Sequence, residues 1–164
     1  MRYRTLPLTL VACMLLLPSM VLAWQGRVTD VKEANTLVVR TEGQERVVSL
    51  YAIGVPEDDE PFAEKARSFI HSTTFRQRVE VEPLGSGDRL RAMVYLQGDD
   101  ESINAKILRQ GLGWLREAYC EKARLCGRLN SISGEARRNE RNLWAEVPGN
   151  KAAWKWLKEQ DSKP

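Results

Sequence analysis

The chain has 164 residues, with 25 lysines and arginines against 22 aspartates and glutamates and a single histidine. That length gives one domain of ordinary size, with enough chain for a hydrophobic core. The near balance of charge excludes a protein that holds nucleic acid by overall basicity, since phosphate neutralisation needs a marked cationic excess. Any nucleic-acid site must be a local patch.

The N-terminus carries Arg2 and Arg4 ahead of an apolar run from about residue 6 to residue 22, closing on Val21-Leu22-Ala23. A basic start, an apolar stretch and small residues at its end predict a signal peptide over residues 1–23, cleaved on export to the periplasm or the outside. A membrane anchor is disfavoured by Pro7 and Pro18, which interrupt the run. Lipidation at Cys13 is disfavoured because the apolar run continues past it through Leu17. No membrane span is expected in the mature chain. Removing 23 residues from 164 leaves 141, and removing the segment's two arginines leaves 23 basic against 22 acidic residues. Cys120 and Cys126 remain as an even pair, which an oxidising compartment should close into a disulfide. A zinc site would need further thiols or imidazoles, and His71 lies far away in the chain.

Residues 26–53 predict three antiparallel strands, "GRVTDV", "NTLVVRT" and "ERVVSLYAI", with a turn at Glu42-Gly43-Gln44. From Pro61 to Phe75 the period changes to a helical one, with Phe62, Ala66, Phe69 and Ile70 on one face and Pro61 suited to the first turn. "RVEVEP" and "LRAMVYLQG" predict two further strands. A second helix is expected from Ser102 to Gln110, stopped by Gly111, and a third from Ser131 to Asn142. Trp114 to Tyr119 should return to the core. Residues 151–160 predict a short amphipathic tail helix bearing Trp154 and Trp156. The order ββ β-α-ββ-α-α predicts an α+β fold of mainly β character: a five-stranded OB-type barrel with three packed helices. Expected boundaries are 24–147 for the domain and 148–164 for the tail, in a monomer.

Over residues 26–144 the chain resembles the staphylococcal nuclease (thermonuclease) family. The stretches that carry this are "VTDVKEANTLVV", "VSLYAIGVPE", "GDRLRAMVYLQG", "INAKILRQGLGW" and the "YC…C…EARRNERNLW" segment. "NKAAWKW" is similar to the tail of exported bacterial members. The resemblance implies a calcium-dependent phosphodiesterase acting on DNA and RNA. In that chemistry carboxylates hold a hard cation, a glutamate handles the attacking water, and two arginines stabilise the charge on the phosphate.

Carried over position by position, the resemblance gives a mixed result. The family's first-turn Asp-Gly-Asp-Thr falls on Glu33, Ala34, Asn35 and Thr36, so the metal-binding aspartate there becomes Asn35. The second metal aspartate falls on Gly54, and the first catalytic arginine on Ser49. Glu57 falls on the catalytic glutamate and Arg89 on the second arginine. Of two pocket tyrosines, one falls on Glu117 and the other is kept as Tyr119. Losing one preorganised donor costs on the order of 10²–10³ in rate, and at least three groups are missing together.

Each kept residue also has a plainer reading. Glu57, Asp58, Asp59 and Glu60 precede a helix, whose dipole and free N–H groups favour acids. Arg89 and Arg91 could be solvent-facing residues at the start of a strand. Tyr119 and Trp114 could serve packing, and His71 could be inert. Three readings follow. The first is a thermonuclease-like binding module, for nucleic acid or protein, that no longer cuts efficiently. The second is an active divergent nuclease, with Glu57 as base, Arg89 as phosphate clamp and a cation relocated to Glu33 or Asp58. The third is an envelope-associated structural domain that engages a protein partner through Trp154 and Trp156.

Overall fold

The computed structural model describes residues 23–84 and 90–145. Most of the expected signal peptide, Arg89, and the tail with Trp154 and Trp156 lie outside the described residues.

The first three strands are β1 (Trp24–Glu33), β2 (Thr36–Thr41) and β3 (Gln44–Leu50). β2 and β3 are joined through Glu42 and Gly43, both at positive φ (49° and 79°). That pairing is the tight hairpin geometry whose twist matches the strands it joins. A helix, α1 (Ala63–Thr74), then precedes β5 (Arg78–Pro83) and β6 (Leu90–Leu96), with a short β4 (Ile53–Gly54) lying before α1. The five long strands close in the order β1-β2-β3-β6-β5, with β3 and β6 parallel and the other pairs antiparallel. This is the expected five-stranded barrel.

Alternation fills it. Val28, Leu37, Val39, Val48, Leu50, Val79, Val81, Ala92 and Val94 are buried inside, while Arg27, Arg40, Glu45 and Arg78 are exposed. Each fully buried branched side chain stabilises by roughly 1.5–3 kcal/mol relative to exposure. Helix α1 adds Ala66 and Ile70 to the same core.

Two helices cover the barrel's side. α2 (Ile103–Arg109) is capped by Ser102, whose hydroxyl accepts from the Ala105 N–H at 3.1 Å. α3 runs over Ala123–Arg138. Residues 131–142 were expected for this third helix, and it begins eight residues earlier. Leu125, Leu129, Ile132 and Ala136 give it one apolar face, and that face overrides the weak helix formers Gly127, Asn130 and Ser131. Helix α1 also differs from expectation at its start. Pro61 stands outside it, and Phe62 at φ 69° is the residue before the first turn.

Cys120 and Cys126 are bonded, with Cα atoms 5.8 Å apart. The bridge fastens the 3-10 turn Glu117–Tyr119 to the first turns of α3. Inside, Asn104 is fully buried and fully used. Its Oδ1 accepts from the Val94 N–H at 3.1 Å, and its Nδ2 donates to the carbonyls of Tyr51 and Ala92, each at 3.2 Å. The Tyr51 hydroxyl, also buried, accepts from the Glu121 N–H at 2.6 Å. Together these bonds fix the chain where β3 leaves the barrel for β4. Among the described residues, no helix is long and apolar enough to cross a membrane.

Candidate active-site cleft

At that exit the chain reverses sharply, with Ala52 at φ 56°. β4 then pairs antiparallel with β7 (Trp114–Leu115), setting Gly54 opposite Trp114 and Ile53 opposite Leu115. This two-stranded sheet escapes a reading of the sequence because each strand has only two residues. Beside it opens a cleft of about 580 Å³. Its walls come from the β1–β2 turn, the β4 region, the acidic turn at 57–60 and the first half of α1, with Trp114 and Arg116 from β7 and its end.

The structure brings Asn35, Gly54 and Glu57 into this one cleft. Asn35 is committed to its neighbours: its Nδ2 donates to the Ile53 carbonyl and its Oδ1 accepts from the Thr36 hydroxyl, both at 3.0 Å. At Gly54 the space a side chain would need is filled. A Cβ there would lie 2.6 Å from Nε1 and 2.7 Å from Cζ2 of Trp114, distances that real carbon atoms do not adopt. The Trp114 indole N–H is buried and has no partner among the described residues. Trp114 is therefore neither a simple core residue nor free; it stands where a carboxylate at position 54 would project.

Calcium takes several oxygen ligands, usually with carboxylates among them. The two positions that the resemblance gives to the metal, Asn35 and Gly54, offer a hydrogen-bonded neutral amide and no side chain under an indole ring. They do not fit the ion. Nearby, Glu57, Asp59 and Glu60 form an acidic cluster, with one carboxylate oxygen of each within 4.8 Å of the others.

These acids do not cap α1 as expected. Among the described residues no side chain caps the helix, because the chain enters it through Phe62 in a left-handed conformation. Asp58 instead pairs with Arg67 on α1. Glu60 folds back, its Oε2 accepting from the Glu57 N–H at 2.7 Å. Burial raises the Glu60 pKa; the Glu57 N–H bond pulls it down, and the neighbouring Glu57 and Asp59 charges push it up again. In the unfolded chain this group ionises near its ordinary 4.5, and in the folded chain at a higher pH. Its charge therefore costs folding stability above the raised value and nothing below the ordinary one. Glu60→Gln is expected to be more stable than the parent at neutral pH, with the advantage vanishing in acid. Urea titrations across that range check it, and an advantage that grows in acid would sink it.

Tyr119 lies outside the cleft, 45% exposed, with the Arg116 guanidinium 4.2 Å above its ring. Arg116 itself lines the cleft, so Tyr119 touches the site through that cation. Arg91, expected to face solvent, is half-buried and stands beside Ser49 across the parallel β3–β6 register. Arg116 and Arg67 are cleft residues with no signal in the sequence. They become visible only when β7 and α1 are placed.

The model of the staphylococcal nuclease homologue family matches residues 47–146. The chain belongs to this family. The matched span includes Gly54, Glu57, Arg89 and Tyr119, while the β1–β2 turn with Asn35 precedes it. The chain is also similar to "Micrococcal nuclease" of Shigella flexneri, 28% identical over 146 residues, or 82% of each protein. It is similar to "Protein ParB" of Escherichia coli as well, 26% identical over 154 residues, or 86% of this chain and 85% of the other. The nuclease family's barrel is thus present, with Trp114 set against Gly54 at the edge of its cleft.

Proposed function

We propose that this protein is an exported thermonuclease-like domain in which hydrolysis is impaired and which acts by binding nucleic acid. The observation that carries this reading is the Gly54–Trp114 pair, with Asn35 tied to Ile53 and Thr36. A carboxylate pair for calcium has no place in that arrangement. Glu57 keeps the position of a general base but works beside no such pair. Arg89 and Tyr119 are taken as remnants of phosphate and base contacts. Export, a domain over 24–147 and a separate tail over 148–164 belong to the same reading, and the Cys120–Cys126 disulfide supports the oxidising compartment.

The test is a calcium titration of cleavage on single-stranded DNA. No cleavage above a protein-free control is expected at any calcium concentration. Calcium-dependent cleavage that Glu57→Gln abolishes would overturn the reading. It would favour an active divergent nuclease, the alternative that the acidic cluster of Glu57, Asp59 and Glu60 supports.

A further inference from the structure

The barrel wall away from the cleft carries an uncommon arrangement. Arg27 of β1 has Arg40 of β2 as its cross-strand partner on one side and Arg78 of β5 on the other. Residues in register on neighbouring strands point to the same face, and all three arginines are exposed. Three like charges therefore stand in one row across three strands, with neighbouring strands about 4.8 Å apart. Like charges directly opposite one another destabilise a sheet. Among the described residues the row offsets this only at one end, where Arg40 donates to Glu45 at 2.7 Å and Glu45 also accepts from Thr29.

Arg27 donates to the Arg76 carbonyl at 2.8 Å, and the Arg76 guanidinium lies over Phe75 rather than on an acid. Among the described residues, neither Arg27 nor Arg78 has a salt-bridge partner. Glu80, the next outward residue of β5, makes none either. The sheet thus keeps a local cationic stripe in a chain with almost balanced charge.

The cleft has the opposite character. Glu33, Glu57, Asp58, Asp59 and Glu60 face it against Arg67 and Arg116, and Arg67 is taken by Asp58. Without a bound cation, phosphates are repelled there. From Arg27 to Glu33 the strand β1 covers about 20 Å at 3.3 Å per residue, so the stripe is well clear of the cleft.

We infer that the Arg27–Arg78 stripe is a second, cleft-independent surface that holds the sugar-phosphate backbone of single-stranded nucleic acid. This rests on the nucleic-acid-binding reading above and names the local patch that a charge-balanced chain requires. Guanidinium forks match phosphate oxygens, and their uncompensated charge favours any polyanion able to lie across the strands.

The experiment measures binding of a single-stranded oligothymidylate across a sodium chloride series, in EDTA so that cleavage cannot enter. Each phosphate neutralised on a single strand contributes about 0.7 to the slope of log affinity against log salt. Arg27→Gln with Arg78→Gln is therefore expected to flatten the slope by about 1.4, while Arg27→Lys with Arg78→Lys keeps it. Arg78→Glu alone, at an arginine whose side chain makes no hydrogen bond or ion pair among the described residues, serves if the double variant melts early, and it should flatten the slope as well. A Gln-variant or Glu-variant slope equal to the parent's overturns the stripe and leaves nucleic-acid binding standing. Absence of binding by the parent at low salt overturns both. So does binding to phosphatidylglycerol vesicles without binding to the oligonucleotide, which would turn the surface into a lipid-facing one.

Discussion

Gly54→Asp alone is expected to destabilise the fold by about 1–3 kcal/mol, as overpacking does, and to bind no calcium. Its first side-chain atom would meet the Trp114 ring at less than contact distance, so either the indole or the β4–β7 pairing must give way. Adding Trp114→Ala removes the obstacle. Adding Asn35→Asp as well replaces an amide that now binds the Ile53 carbonyl with a second carboxylate. The triple variant is expected to show calcium heats in calorimetry that the parent and Gly54→Asp both lack. Should Gly54→Asp bind calcium at parental stability, Trp114 does not hold that space, and the account of lost hydrolysis fails with it.

Asn104→Ala should weaken the fold by about 3 kcal/mol, because buried groups that lose their partners carry their full desolvation cost. The Val94 N–H loses its acceptor and the Tyr51 carbonyl its donor, while the Ala92 carbonyl keeps the Tyr51 N–H at 2.9 Å. The effect should reach the cleft, since Tyr51 lies just before the reversal that aims β4. Urea denaturation measures it. A loss below about 1 kcal/mol, the net worth of one ordinary hydrogen bond, would show that the network does not support the exit from the barrel.

The barrel was legible because the long strands are runs of β-branched residues bounded by turns, and in β5 Val79 and Val81 declare their face by alternation. β2 and β6 alternate less cleanly, since Val38 and Met93 are buried beside their neighbours. The start of α3 was legible in principle. Leu125, Leu129 and Ile132 already have helical spacing, but Cys126, Gly127 and Asn130 obscure it with weak propensities. The absence of a carboxylate at Asn35 and Gly54, the two positions that the resemblance gives to the metal, could be read from the sequence. What filled the space could not, because Trp114 meets Gly54 only through a pairing of two-residue strands sixty positions apart in the chain. The acids at 57–60 were visible as a group. Their lack of a capping role depends on Phe62 entering α1 left-handed, a backbone choice that no local pattern announces. The arginine stripe was hidden for a similar reason. Arg27, Arg40 and Arg78 are ordinary outward residues until the register aligns them.

One consequence concerns how this chain acquires its shape. β1, β2 and β3 are neighbours in sequence and can pair as soon as they exist, yet the barrel closes only when Val48 finds Leu90 and Leu50 finds Ala92. Contacts between such distant segments slow folding, since a long loop must be ordered before they form. Until β6 and β5 arrive, the three-stranded meander presents two open edges, each a template for another chain. The β3–β6 and β1–β5 seams are therefore the late events, and together they end the interval in which the nascent protein is most exposed to aggregation.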